Sequence, residues 1–380
     1  MSALRIGLST TTIEPALTGG RLDGIGVYTR ALLRHLPAAL PAGGAVLPLS
    51  FAPVRQGAPA LSAGKPLPLS FPLATLRDLA LPDAVRQPMP SLDLYHATDY
   101  RIVRMDRPVV ATLHDALPVS HPEWCNPRLR RLKNWLQIKA ARKADHVIAH
   151  TAFSIRELVD CFGVDERRVS VVPCGVDEEW LDAPAPDAVA ETLAQYGLKP
   201  GYFLFVGTLQ PRKNVGRVLQ AYLALPPVVR ARRQLVVVGA PGWRSEEQQA
   251  QMRAAVQNGE NVLWLDRLTG QEQLRHVYAA AGVFVFPSLY EGFGIPVVEA
   301  FASGVPVIAS NTTSLPEVTR GAALEVDPLS VPEIGAAMLE LARDDALRAR
   351  CAAAGRVRAV ELTWSETARK TAAVYQTLLS

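Results

Sequence analysis

The sequence has no apolar run in its 380 residues that reaches the ~18 a membrane-spanning helix needs. Its opening, MSALRIGLST, is a strand-like start without the charged flank and apolar core of a secretion signal, so the expected compartment is the cytoplasm. Only four cysteines occur, Cys125, Cys161, Cys174 and Cys351, and none forms a CxxC pair. That excludes a disulfide framework and a zinc ribbon, and leaves buried reduced thiols as the expectation. No Asp-x-Asp is present and no His, Cys and carboxylate set has metal-ligand spacing, so neither a metal nor another cofactor is expected. A net charge of +4 is too small to imply a nucleic-acid partner.

The charge is nonetheless uneven. Seven cations (Arg128, Arg130, Arg131, Lys133, Lys139, Arg142 and Lys143) fall within sixteen residues that contain no acid. This stretch predicts a helix with Leu129, Leu132, Leu136 and Ala140 on one face and Trp135 beside it. Two interpretations stand: a helix packed on a sheet with a solvated basic side, or a surface that meets anionic lipid or a lipid-diphosphate acceptor. On the second, Arg128, Arg131 and Trp135 are the contact residues.

The chain is roughly twice the length of one domain, and 49% hydrophobic residues supply full cores. Apolar β-rich runs alternate with segments of helical period, the pattern of parallel βαβ units. Strands are predicted at 4–10, 45–51, 92–98, 108–114, 146–151 and 168–173, with helices at 26–37, 126–144 and 152–162. The series restarts with strands at 201–207, 233–239, 261–266, 282–287, 305–310 and 322–327, and helices at 214–224, 244–257, 270–281 and 295–303. The fold class is therefore α/β, with two doubly wound, Rossmann-like domains and a boundary near 176–200. Residues 52–91 hold eight prolines and little periodicity, and irregular structure is expected there.

Ligands of such sheets bind at the carboxyl ends of the strands, and the motifs fall at those ends. YEGFGIPVVEA follows the strand at 282–287 and opens a helix near Ile295, with Pro296 in the first turn, where a missing N–H costs nothing. Gly292 and Gly294 allow close backbone approach, and a helix N-terminus favours an anion. Glu291 before the helix and Glu299 one turn inside it are placed to grip hydroxyls on either side of a phosphate. The alternative is a solvated loop acid and a helix-dipole acid.

VGTLQPRKNVGRVL repeats the strand–turn–helix pattern. Arg212 and Lys213 precede Asn214, a candidate N-cap. Two cations at a helix N-terminus oppose its dipole unless an anion lies between them, although two solvated loop cations would satisfy the sequence equally. In the first half, Gly19, Gly20, Gly24 and Gly26 form a glycine-rich turn before a helix, which fits a phosphate cradle but not a dinucleotide fingerprint. His114 and Asp115, and with less support His96 and Asp99, end strands and either bond a substrate hydroxyl or only cap the strand.

The order of GxG before the first helix, THD, HTAFSIREL, VVPCGVD, VGTLQPRKN, SLYEGFGIPVVEAFASGVPVIAS, TSLPEV and TWSETARKTAAVYQTLL resembles the retaining glycosyltransferases of family 4. The wording is similar to bacterial mannosyltransferases of polysaccharide assembly. The resemblance covers nearly the whole chain apart from residues 52–91. It implies the GT-B fold, two Rossmann-like parallel-sheet domains facing each other across a cleft. The domains would be 1–176, joined by a C-terminal helix at 365–380, and 177–364.

It further implies that Glu291 contacts donor-sugar hydroxyls together with the backbone of Phe293 and Gly294, and that Glu299 holds the ribose. Arg212 and Lys213 would neutralise the departing diphosphate, approached by Gly24 and Gly26 and by the turn at Gly207 and Thr208. His114 would touch the sugar ring, Arg267 and Leu268 would lie by the base, and the backbone at Ser314 and Leu315 by the phosphates. Thr208 stands where relatives often have arginine, and Asp266 where they often have glycine. The implied reaction is metal-independent transfer of a hexose, with mannose from GDP-mannose first. A UDP-sugar or deoxysugar donor is the alternative. The acceptor would be a glycan or a polyprenyl-diphosphate-linked glycan, the linkage α, and the place the cytoplasm or the inner membrane face. Two other functions fit the acids alone: a glycoside hydrolase, and a nucleotide-sugar-binding protein without turnover.

Overall fold

The computed structural model describes residues 4–19, 22–51, 63–80, 89, 91–125, 127, 129–268 and 270–380. The chain forms two compact units. The first comprises Met1–Pro122, Pro127–Cys174 and Trp364–Ser380, and the second Glu123–Asn126 and Gly175–Thr363.

The first unit is built on seven strands, β1 (Arg5–Ser9), β2 (Ala45–Ser50), β3 (Lys65–Pro66), β4 (Leu94–Ala97), β5 (Val109–Thr112), β6 (His146–Ala149) and β7 (Val169–Val171). Their order is β3-β2-β1-β4-β5-β6-β7 and every pairing is parallel. All four residues of β4 and of β5 are buried, as central strands covered on both faces must be. The helix Gly24–Ala39 packs on the C-terminal helix Trp364–Leu379. Tyr28 and Tyr375 are fully buried there, and His96 Nδ1 lies 2.6 Å from the Tyr375 hydroxyl.

Two expectations fail in this unit. Residues 52–91 are not wholly irregular, because β3 and a helix Phe71–Ala80 form within them. The helix was hidden because its pattern is inverted: Leu73 and Leu76 are exposed, while Asp78 points inward. That buried carboxylate accepts from Lys143 Nζ at 3.1 Å, from the Arg104 backbone N–H at 2.8 Å and from Arg77 at 3.1 Å, so its charge is fully partnered. The basic helix begins at Arg130, not near 126, and runs to Ala141. Leu129 and Leu132 do not form its inner face: they are 63% and 52% exposed, and it is Ala140 and Ala141 that are buried.

The second unit holds β8 (Phe203–Val206), β9 (Leu235–Val238), β10 (Val262–Leu265), β11 (Val283–Phe286), β12 (Val307–Ser310) and β13 (Leu324–Val326). Their order is β10-β9-β8-β11-β12-β13, again wholly parallel. FLFV, LVVV and VFVF are the unbroken apolar runs that a doubly covered parallel sheet demands. The helices Val331–Arg343 and Asp345–Val360 follow the last strand and were not anticipated.

In each sheet the strand order reverses once, between β1 and β4 in the first and between β8 and β11 in the second. At such a switch the two adjoining loops run in opposite directions and leave a crevice at the carboxyl edge. All four cysteines are free thiols, but only Cys174 is buried and the other three are half-buried. Among the described residues no helix is long and apolar enough to cross a membrane.

Candidate active site

The crevice of the second sheet lies between the loops that follow β8 and β11, and these carry the two strongest motifs. After β8 the chain makes a short 3-10 turn, Pro211–Lys213, and enters the helix Val215–Leu223 through Asn214. Asn214 occupies the N-cap position but its side chain does not cap the helix. It sits in the left-handed region at φ 64°, a conformation Asn tolerates better than most residues. Its side-chain amide donates to the Pro287 carbonyl at 2.8 Å and the Pro328 carbonyl at 2.6 Å, tying the β8 loop to the ends of β11 and β13.

The two loops are stitched together directly. The Leu289 backbone N–H donates to the Arg212 carbonyl at 2.7 Å, and Arg212 Nη1 donates to the Tyr290 carbonyl at 3.0 Å. Glu291 then receives both cations, with Lys213 Nζ at 2.6 Å from one oxygen and Arg212 Nη1 at 3.1 Å from the other. The side chains are 12%, 18% and 8% exposed for Lys213, Arg212 and Glu291, so none is a solvated loop residue. Burial pushes the Glu291 carboxyl up, but the adjoining Lys213 and Arg212 charges outweigh it and hold it below the usual carboxylate range. Lys213 also lies over the Phe286 ring, 4.9 Å from its centroid.

The turn that follows is shaped for close approach. Gly294 has φ 105°, and a Cβ there would come within 2.6 Å of Leu315 Cδ2. Both backbone conformation and space therefore require glycine at this helix entry. Ser314 Oγ donates to the carbonyls of Glu291 at 2.8 Å and Phe293 at 3.3 Å, while the Glu291 N–H reaches Thr313 Oγ1 at 3.4 Å. The Ser314 side chain thus holds the loop in shape, and Leu315 is a fully buried packing residue. Glu299 lies in the second turn of the helix Ile295–Ala302 and accepts from the Tyr278 hydroxyl at 3.0 Å. Burial raises its pKa to about 7, against the lowering effect of that hydrogen bond.

Gly207 and Thr208 follow β8 directly; a Cβ at Gly207 would lie 3.8 Å from the Lys213 side chain, and Thr208 is exposed. Sequence reasoning missed the partner of this turn: a Cβ at Gly239 would strike the Gly207 carbonyl at 2.0 Å. The signal was a glycine ending the adjacent strand β9. Arg267, exposed, and Leu268 follow β10, which is two strands away from β8. They share the carboxyl edge of this sheet. Tyr278 and Asn214 are the other residues whose roles the sequence did not disclose.

The remaining candidates lie in the first unit. The Gly26 N–H is taken by Asp23 Oδ1 at 2.9 Å, which caps the helix Gly24–Ala39. Gly20 and Arg128 lie outside the described residues. His114 uses both ring nitrogens, with Nε2 2.9 Å from the Thr98 carbonyl and Nδ1 2.9 Å from His150 Nε2. His150 Nδ1 in turn lies 3.0 Å from the Val172 carbonyl. Burial pushes His114 down to about 4 and His150 to about 3. His96 is a core residue between Tyr375 and Thr112, and Asp115 Oδ1 accepts from the Tyr100 hydroxyl and from the Leu117 backbone N–H. Arg131 and Trp135 are exposed. Among the described residues no three His, Cys, Asp or Glu side chains come together as metal ligands.

Comparison with known proteins adds two family models that match successive stretches of the chain. The one described as Glycosyltransferase Family 4 covers residues 22–180, and the one described as Glycosyl transferases group 1 covers residues 191–358. The O-antigen chain mannosyltransferase B of Escherichia coli is 32% identical over 289 residues, 75% of this chain and 74% of its own. The MMP alpha-(1->4)-mannosyltransferase of Mycolicibacterium hassiacum is 28% identical over 336 residues, 83% of this chain and 76% of its own. Among solved structures, sucrose-phosphate synthase from Thermosynechococcus elongatus superposes with a TM-score of 0.75 at 22% identity, covering 99% of each chain. That last likeness is one of fold, and the fold is GT-B.

Proposed function

The chain belongs to glycosyltransferase family 4, and from that premise we propose a retaining mannosyltransferase that takes mannose from GDP-mannose and forms an α-linkage without a metal. Membership makes the chain a glycosyltransferase and sets aside the hydrolase alternative. Mannose as the sugar draws on the names of the two relatives above.

The observation that carries the mechanism is the Lys213–Glu291–Arg212 cluster at the switch between β8 and β11. Breaking the bond between sugar and diphosphate leaves negative charge on the leaving group and oxocarbenium character on the ring. Arg212, Lys213 and the N-terminus of the helix Ile295–Ala302 stabilise the first as preorganised, poorly solvated donors. The donor's diphosphate competes with Glu291 for these cations. As they turn to the phosphates, the Glu291 carboxylate becomes available to the sugar hydroxyls and to the developing positive charge. Glu299 takes the ribose hydroxyls, and the departing phosphate oxygen accepts the acceptor's proton on the face it leaves, so no separate general base is required.

The acceptor is a glycan, free or carried on polyprenyl diphosphate at the inner membrane face. Membrane contact is supported by the helix Arg130–Ala141, whose exposed Leu132 and Trp135, with Leu129 just before it, stand beside the exposed cations Arg131, Lys133 and Lys139.

The test is incubation with GDP-mannose, UDP-glucose and a TDP-deoxysugar in the presence of a lipid-linked and a soluble mannan acceptor, with and without EDTA. Transfer from GDP-mannose that survives EDTA and gives an α-anomer by NMR supports the proposal. Transfer from another donor replaces the sugar assignment. Nucleotide binding without any turnover would make the chain a binding protein.

A further inference from the structure

At the other end of the helix Ile295–Ala302 from Glu291, roughly 12 Å along its axis, the second unit holds a small cavity. Its volume is about 130 Å³, below the ~300–1,000 Å³ of sites for drug-sized ligands, so it takes an ion or a small head group. Trp180 and Asp182 line it from the stretch after the turn Glu178–Trp180, Arg275 from the helix Gln271–Ala279, Ser303 from the end of Ile295–Ala302, and Arg356 from the helix Asp345–Val360. None of these side chains has a part in the mechanism above. We propose that this cavity binds a phosphate group, free or as the head of a small phosphoester, between the guanidinium groups of Arg275 and Arg356.

The two arginines carry the assignment because the fold leaves both with donors to spare. Arg356 has no hydrogen-bond or ion-pair partner among the described residues. Its guanidinium lies against Gly304, where a Cβ would come within 2.6 Å of Nε and 2.8 Å of Nη2. A cation beside a helix C-terminus commonly serves the last carbonyls. Here three of the last four are already satisfied, since the carbonyls of Glu299, Ala300 and Phe301 accept from the backbone N–H groups of Ser303, Val305 and Gly304 at 3.0, 2.9 and 3.0 Å. Arg275 is fixed through Nη2, which donates to the Glu179 carbonyl and, at 3.4 Å, to the Asp182 carbonyl. Its Nε and Nη1 donors have no partner among the described residues, so a preorganised half of the fork remains open.

The charge of the lining points the same way. Asp182 is its one acid, and that carboxylate is exposed and pairs with neither arginine. Two cations against one acid in a cavity of this size select a small anion, and two guanidinium forks match the oxygens of a phosphate. The Ser303 hydroxyl adds a further donor. Trp180, only 4% exposed, closes one wall with apolar surface, which strengthens the attraction inside.

The test is calorimetric titration of inorganic phosphate and of glycerol 3-phosphate, at ionic strength matched with sodium chloride, into the full chain, Arg356→Gln, Asp182→Asn and Lys213→Ala. Phosphate binding that chloride does not displace is expected, about tenfold weaker in Arg356→Gln, a few-fold tighter in Asp182→Asn and retained in Lys213→Ala. A damaged fold does not tighten binding, so the Asp182 variant remains a test if Arg356→Gln does not fold. The tighter of the two ligands identifies the source as a free ion or an ester head. Binding that is absent at matched ionic strength, or unchanged in both cavity variants, overturns the proposal. So does binding lost in Lys213→Ala, which would place the phosphate at the Glu291 cluster instead. The proposal stands apart from the donor assignment, and its failure would leave the transfer mechanism untouched.

Discussion

Lys213 Nζ lies 2.6 Å from Glu291 Oε1, so the cation assigned to the leaving group is held, before any donor arrives, by the acid assigned to the sugar. Removing Lys213 does two things. It withdraws one preorganised charge from the diphosphate, a loss comparable to removing an oxyanion-hole donor, about 10²–10³ in kcat. It also leaves a buried carboxylate with Arg212 as its remaining ion-pair partner, which destabilises the fold. Lys213→Ala is expected to lower kcat by about that factor with a smaller change in KM, and to lower Tm in the absence of donor. The pair Lys213→Ala and Glu291→Gln is expected to recover much of the Tm but none of the turnover. Steady-state kinetics with thermal melts checks both, and unchanged turnover in Lys213→Ala would remove the leaving-group role.

Asn214 ties three strand ends together from a left-handed backbone conformation, and the two contributions can be separated. Asn214→Gly keeps φ 64° without strain but loses the two hydrogen bonds to the Pro287 and Pro328 carbonyls. Each buried bond lost costs about 1–3 kcal/mol. Asn214→Ala loses the same bonds and adds about 1–2 kcal/mol for a Cβ in the left-handed region. Denaturant unfolding should rank the stabilities wild type, Gly, Ala. Equal values for Gly and Ala would mean the backbone conformation is not the reason for Asn at this position.

The sheets were legible because parallel strands buried on both faces must be continuous apolar runs, and these stand out as VFVF and LVVV do. The residues of the Lys213–Glu291–Arg212 cluster were legible as candidates because glycine, proline and charge sit at the junctions of those strands and helices. What could not be read was how the charges partner each other. Arg212 and Lys213 suggested an empty anion site, yet each reaches Glu291, 78 or 79 residues away in sequence. The helix Phe71–Ala80 escaped because its buried face carries Asp78 and its exposed face two leucines, so hydrophobic period and burial disagree. Its inward acid depends on Lys143 and Arg104, contacts that no local pattern encodes.

His114 and His150 share a 2.9 Å contact whose outer nitrogens each face a carbonyl, at Thr98 and Val172. Three donor positions therefore require three protons on two rings, one more than two neutral imidazoles carry. Burial opposes that extra charge and holds both ring pKa values far below neutrality. At pH 7 the pair is neutral and one of the three contacts is unmade. Burial is what depresses the His114 pKa, so water entering the space left by His150→Ala should move it up from about 4, and the loosened ring should lower kcat. His150→Gln, which can donate to His114 Nδ1, should restore most of the turnover. Nitrogen-15 NMR titration of the ring gives the first result and kinetics the second. Because the unfolded state binds more protons below about 6.5, the pair also makes stability fall as pH drops through that range.

Glu299 provides the opposite pH dependence. Its folded pKa of about 7 lies above the unfolded value near 4.5, so the folded state binds more protons between these limits. Its contribution to stability is full below about 4.5 and declines as pH rises to about 7, after which the penalty is constant. Glu299→Gln should therefore leave the melting temperature at pH 5 nearly unchanged and raise it at pH 8. Nucleotide affinity should run the other way. A carboxylate accepts from both ribose hydroxyls, whereas the protonated acid competes as a donor, so binding of GDP or UDP to the wild type should strengthen as pH rises through about 7. In Glu299→Gln the affinity should be lower and flat over the same range. Calorimetric titration from pH 5.5 to 8.5 measures both slopes. A wild-type affinity independent of pH would show that the ribose does not reach Glu299, whatever the melting curves report.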